Sequence, residues 1–307
     1  MKNPRVLIPV LILAVLGLGF GGYSYYWFHF AQKLRQSVLD ETAQGRGQGY
    51  DPAWESYEIA GYPLAFRIGF TGASLAHNGG DGKWTVRAEH LTAEARPWSP
   101  LKWQAMAGKI VLSAGAGTNI GLTQIDEATA TLSFAATPPA NHKDEALSAE
   151  ALLSRVTLPA GLPSLGPGIE TVSLSLSVKG ALAGKGALKQ NLAAWRDDGG
   201  TVEVQSAEID WGPLSAKAAG TLALDGQMQP VGALTATIKG YGAAVDALVA
   251  GNAMRPGDAT LAKFAMSALA KPGADGKPRL EAPLTLQNGY LFLGPAKIAR
   301  LPEVGLK

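Results

Sequence analysis

The residues able to carry chemistry are few and scattered. The chain has four histidines, His29, His77, His90 and His142. None falls in a His-Glu-x-x-His pattern, which on a helix would place two ligands and a base around zinc. No Gly-x-Ser-x-Gly stretch supplies a nucleophile elbow. Cysteine is absent, so thiolate catalysis, cysteine-held metals and disulfides are all excluded. The run Gly180–Gly186, GALAGKG, carries a lysine among glycines but lacks the spacing of a phosphate loop and the hydroxyl residue after lysine. Asp197 and Asp198 precede Gly199 and read as the polar end of a helix. The expectation is no catalytic residue, no metal ligand and no cofactor site, hence a protein that is not an enzyme. With 27 basic and 25 acidic residues, net charge +2, no strong field recruits nucleic acid.

The elements around these residues are much better specified. Val6 to Phe28 contains no charged residue and follows Lys2 and Arg5. At about 1.5 Å per residue, a helix of that length spans a hydrocarbon core of about 30 Å. Tyr23, Tyr25, Tyr26, Trp27 and Phe28 end the run, in the manner of an aromatic belt at lipid headgroups. A cleaved signal peptide is the competing reading, but its apolar region is usually shorter and small residues follow it. The run is read as an uncleaved membrane anchor. Lys33 and Arg35 beyond it balance Lys2 and Arg5; the short basic tail before a large domain favours an amino terminus inside.

Phe30 to Gln44 has helical spacing, and Gly45, Gly47 and Gly49 suggest a joint. Period-two patterns follow. Leu64, Phe66, Ile68 and Phe70 share one parity; His77 to Gly82 reads as a hairpin turn; Trp84, Val86 and Ala88 begin its partner strand. Further strands are expected at 108–114 and 128–134. A helix is expected from Lys143 to Val156, on the stripe Ala149, Leu152, Leu153 and Val156. The Pro- and Gly-rich segment Leu158–Gly168 marks a boundary. Val172, Leu174, Leu176 and Val178 then alternate with polar residues, and Leu188, Leu192 and Trp195 form a helical face closed by Gly199-Gly200.

The segment Thr201–Tyr241 is the most regular. Leu214, Ala216, Ala218, Leu222 and Leu224 lie on one parity, and Leu234, Ala236 and Ile238 continue it after a turn, giving strands with one dry and one wet face. Keeping Leu234 dry requires a loop of odd length, with Asp225 to Gln227 the expected one, or a bulge near Pro230. A parity change between Val204 and Ile209 predicts a bulge near Ser206-Ala207. Two short helices follow, the second with Asp258 as N-cap and Leu261, Phe264, Ala268 and Leu269 as its apolar face. A strand pair turns at Asn288-Gly289. Much of the dry face is alanine, a poor strand former that fills little space. Two uses fit: helices packed closely on the strands, or room kept for an apolar guest. The eight dry residues Leu214, Ala216, Ala218, Leu222, Leu224, Leu234, Ala236 and Ile238 are the candidate apolar groove.

The segments IAGYPLAFRI, AGTLALDGQMQPVGALTATIKGY and APLTLQNGYLFLGP, in that order, resemble an uncharacterised bacterial envelope family catalogued as domain of unknown function 2125. The glycine- and leucine-rich hairpin is also similar to AsmA-like inner-membrane proteins. That resemblance implies a periplasmic body, an amino-terminal anchor, no cofactor and a role in organising envelope lipids. The expected fold is α+β and β-rich: one transmembrane helix, then twisted antiparallel sheet with several short helices packed on it. The expected parts are an anchor (1–30), a helical linker (31–56) and two β-rich modules (57–160 and 161–307). Expected partners are the bacterial inner membrane, through residues 6–28, with lipid or another envelope protein and no nucleic acid. The alternative function is a structural or interaction subunit of an envelope or secretion assembly.

Overall fold

The computed structural model describes residues 4–47, 49–79, 82–114, 122–159, 165–166, 168–182, 188–273, 276 and 278–301, with the side chains of 4–14, 78–79, 82, 188–189 and 298–299 outside that description. The turn at His77–Gly82, the segment Leu158–Gly168 and the run Gly180–Gly186 therefore lie partly outside the described residues, as do residues 1–3 of the amino terminus.

The chain opens with one helix, α1 (Pro4–Gly47), of 44 residues. The apolar run and the helix expected at Phe30–Gln44 are thus a single element, and helix continues through Gly45 rather than breaking there. Next come β1 (Tyr50–Ala53), β2 (Ser56–Ala60), β3 (Phe66–Gly79), β4 (Gly82–Arg96), β5 (Ser99–Ala114), β6 (Leu122–Phe134), β7 (Glu145–Thr157) and β8 (Gly168–Lys179). The helix α2 (Leu188–Asp197) precedes β9 (Thr201–Trp211), β10 (Leu214–Leu224) and β11 (Pro230–Lys239). Two helices, α3 (Tyr241–Ala250) and α4 (Pro256–Leu269), lead to β12 (Lys271–Pro272), β13 (Pro278–Gln287), β14 (Tyr290–Leu293) and β15 (Ala296–Arg300).

Among the described residues all fifteen strands join one sheet, in which β3 to β11 follow each other in chain order and β13, β14 and β15 continue. Every pairing is antiparallel. Strands β7 and β8, on either side of the Pro/Gly segment, pair from Glu145↔Lys179 to Thr157↔Gly168, so the sheet runs unbroken across it.

Register keeps the apolar positions on one face. Leu224 pairs with Pro230, so the loop is the five residues Asp225–Gln229 rather than three; its length is odd, and Leu234 stays dry opposite Gly220. The Asp225 carboxylate accepts the backbone N–H groups of Gln227 and Gln229, both at 2.8 Å, which holds the longer loop closed. The β9 bulge is at Gln205: Ser206 faces Ser175, and Val204 faces Leu176. Asn288 (φ 53°) and Gly289 (φ 72°) make the tight turn between β13 and β14. The N-cap position of α4 is held by Arg255, not Asp258, with no side-chain capping hydrogen bond, and Asp258 lies in the first turn near the positive end of the helix dipole.

The segment expected as a helix at Lys143–Val156 is strand β7, and His142 lies in the loop before it. A crease in the sheet accounts for the helical spacing. Across β3 to β8, successive dry positions at one level are three residues apart instead of two: Phe70/Ala73, Leu91/Ala88, Ala107/Ile110, Ala128/Ile125, Leu153/Val156 and Val172/Ile169 face one another in order. Every second strand has a left-handed residue in this gap, Gly72 (φ 61°), Lys109 (φ 50°) and Arg155 (φ 53°). The two non-glycine residues point charge away from the dry face. Lys109 pairs with Glu89 at 2.7 Å, and Arg155 with Asp126 at 2.7 Å. Lys109 holds the Glu89 carboxyl below its ordinary range. At Gly72 a side chain would strike that of Glu55, 2.7 Å from its Cβ position.

Candidate functional site

Residues directly opposite in antiparallel strands share a face. Following these pairs across the sheet gives a line of small side chains. Ile68 of β3 pairs with Ala93, Ala93 with Ala105, Ala105 with Ala130, and Ala130 with Ala151. Ala151 then pairs with Leu174, Leu174 with Ala207, Ala207 with Ala218, Ala218 with Ala236, and Ala236 with Ala282 of β13. Eight of these ten positions are alanine. Ten strands about 4.8 Å apart make the line roughly 40 Å long.

Bulkier rows flank it. Trp103, Leu132, Leu176 and Leu234 stand on one side, and Phe70, Leu91, Val172 and Ile238 on the other. The dry face is therefore an apolar trough with an alanine floor. Its openness varies along its length. Ala236 (4% exposed) and Leu234 (9%) are buried, whereas Leu174 near the middle is 37% exposed. At the β3–β6 end the carboxyl half of α1 lies alongside, bordering an open groove of about 630 Å³ between Leu34 and Val38 of the helix and Phe70, Leu91, Trp103 and Leu132 of the sheet. That volume is in the range of small-molecule sites. Its few polar neighbours are Ser37, Glu41 and Thr42 of α1 and Ser74 of β3.

The eight groove residues expected from sequence all lie on this face, in β10 and β11. Ala218, Leu222 and Leu234 pack into a cluster with Val204 and Leu286. Tyr241, Ala244 and Val245 of the neighbouring helix α3 are buried, and α3 meets β10. The more open stretch lies some strands away, in β3 to β8. Its residue Phe70, like the buried Phe66 and Ile68 of the same strand, carries the same parity signal; what the strands do not show is that the helix expected at Phe30–Gln44 forms the other wall.

The joint between α1 and the sheet is built from the aromatic cluster. Trp27 is 4% exposed, and its indole N–H donates to the Ala65 carbonyl at 3.0 Å. Its ring stacks on Phe66, the most deeply buried large side chain, at 5.6 Å. Phe30 meets Phe66 from the next turn at 4.3 Å. Tyr26 Oη donates to the Pro97 carbonyl at 3.2 Å, and Tyr23 Oη donates to that of Pro63. Gly61 (φ 101°) permits the turn that delivers Ala65, because a Cβ there would lie 2.6 Å from the Ala65 carbonyl oxygen.

The chemistry-bearing residues stay apart. His29 stacks on Tyr25, His77 lies between Tyr50 and Trp84, and His90 is exposed 3.3 Å from Glu89. Among the described residues no three His, Cys, Asp or Glu side chains gather as a metal would require. Of the tryptophans, Trp195 is buried at 3% exposed while Trp98 is 69% exposed. Trp54 and Trp103 line the groove beside α1. Among the described residues no helix is long and apolar enough to cross a membrane; residues 6–14 of the charge-free run have no described side chains.

Fold and site together define a β-rich protein organised around one sheet, with its apolar face drawn into a trough. The profile of a family described as an uncharacterised protein conserved in bacteria, DUF2125, matches residues 27–137 and 107–302. The chain belongs to that family. A comparison with curated proteins finds no match.

Proposed function

We propose that this is a non-enzymatic protein of the bacterial inner membrane, anchored by residues 6–28, whose periplasmic body holds lipid acyl chains in the apolar trough. The observation that carries the reading is the alanine line from Ile68 to Ala282, half open at Leu174 and walled by α1 at the β3–β6 end. A floor of methyl groups leaves space at the depth of one side chain, and each buried methylene contributes about 0.8 kcal/mol, so a long chain is held with no polar motif. The charge-free run and the exposure of Leu16, Leu18 and Phe20 (63, 77 and 62%) support the anchor.

Native mass spectrometry of protein extracted in mild detergent tests this, together with crosslinking of a photoactivatable fatty acid to the dry face. The expected result is co-purifying lipid and labelling at Ala130 and Ala151. Lipid-free protein with no labelling there overturns the reading.

A second reading, an interaction subunit of an envelope or secretion assembly, is favoured by α4. Leu261, Phe264 and Leu269 are 70, 76 and 66% exposed, leaving that helix with an apolar stripe turned outward.

A further inference from the structure

The loop before β3 and the hairpin end that joins β4 to β5, both beside the aromatic joint, carry exposed apolar side chains. Leu64 is 61% exposed, Trp98 69% and Leu101 43%. Both are fixed to α1 at one level of the helix. Tyr23 Oη donates to Pro63, Ser24 Oγ and Tyr62 Oη lie 2.7 Å apart, Phe28 stacks on Tyr62 at 5.3 Å, and Tyr26 Oη donates to Pro97. This is the level at which the charge-free half of α1 leaves the body, with Leu16, Leu18 and Phe20 exposed just before it. These side chains therefore continue the apolar surface of the helix. Basic residues stand behind them: Arg67 and Arg96, their side chains 49 and 54% exposed, and exposed Lys102, with Glu94 as the acidic partner of the two arginines.

We propose that the loop 61–65 and the β4–β5 hairpin end, residues 97–101, form a second lipid contact, seating Leu64, Trp98 and Leu101 in the headgroup interface of the bilayer that α1 enters. The inference rests on the reading of α1 as an anchor. Tryptophan and leucine favour that layer, since an indole places its ring toward acyl chains and its N–H toward water. Lys102 and the arginines match the anionic headgroups of a bilayer. A helix and these two segments held in one plane fix the orientation of the sheet on the membrane, which a single flexible anchor does not. The groove between α1 and β3–β6 then begins beside the lipid surface.

The absence of cysteine makes single-cysteine labelling direct. Full-length L64C, W98C, L101C, F20C and M106C proteins, each carrying an environment-sensitive dye, are placed in bilayers of phosphatidylethanolamine and phosphatidylglycerol containing nitroxide lipids. Met106 is 55% exposed within β5 and serves as the aqueous control. The expected result is blue-shifted, quenched emission at 20, 64, 98 and 101, with shallow nitroxides quenching 64, 98 and 101 best, and aqueous emission at 106. Quenching at 20 with aqueous emission at 64, 98 and 101 overturns the second contact and leaves the anchor standing. Aqueous emission at 20 as well as at 64, 98 and 101 overturns both.

Discussion

The indole N–H of Trp27 donates to the backbone carbonyl of Ala65 at 3.0 Å, joining the amino-terminal helix to the strand that opens the sheet. Both residues are buried, at 4 and 3% exposed. Trp27→Phe keeps most of the ring contact with Phe66 but strands a buried carbonyl, costing about 1–3 kcal/mol. Trp27→Ala also opens a cavity and is expected to cost about 3–5 kcal/mol. Denaturant unfolding of the purified protein measures both; equal losses would mean that the hydrogen bond contributes nothing beyond packing.

At the far side of β8, Gly200 lies under the Trp195 ring. A Cβ at Gly200 would sit 2.2 Å from that ring. Trp195 is 3% exposed and donates to the Lys179 carbonyl at 2.7 Å. Gly200→Ala must displace the ring, and overpacking of this kind costs about 1–3 kcal/mol. A melting temperature equal to that of the unchanged protein would show that the ring moves freely.

Ala130 and Ala151 face each other on the floor of the trough and are only half-buried. Replacing either by tryptophan fills the trough without entering a sealed core. Stability is expected to change by less than about 1.5 kcal/mol, well below the cost of a buried clash. Retained lipid and acyl-probe labelling are expected to fall severalfold. Unchanged lipid content in a folded variant would place the lipid elsewhere.

On the wet face, Glu208 accepts from Lys217 at 2.6 Å and from Ser206 at 2.7 Å. The lysine, then the serine, holds the Glu208 carboxyl below its ordinary 4.5. A carboxyl depressed on folding contributes stability above its unfolded pKa and loses it as pH falls through the folded one. Glu208→Gln is therefore expected to melt below the unchanged protein at about pH 7, with the gap closing towards about pH 3. The pair is half exposed and screened, so the gap stays within about 1 kcal/mol. Thermal melts across this range check the sign; a gap that widens in acid contradicts it.

Strands with strict period two were legible. Those at Val172–Val178 and in β10 and β11 lie where alternation placed them, and the Gln205 bulge falls one residue from its expected site. The crease hid the rest. Strands expected at 108–114 and 128–134 are pieces that each stop at the crease, on opposite sides of it, and the full strands begin at Ser99 and Leu122. In β7 the dry residues Ala149, Leu153 and Val156 are spaced four and three apart, imitating a helix face. Strand pairing on both sides overrides that spacing, because an isolated helix there would break the ladders of β6 and β8.

By itself the sequence determined which residues avoid water, how they alternate along each strand, and that one long charge-free segment leads the chain. Those are local properties, set by side-chain chemistry and by the two-residue repeat of an extended backbone. Only the tertiary structure decided that alanines from eight different strands stand in one line, because register is a relation between strands and no single strand encodes it. It also decided that Trp27 belongs to the sheet as much as to the helix: its partners Ala65 and Phe66 are 38 and 39 residues away, and only folding brings them within reach.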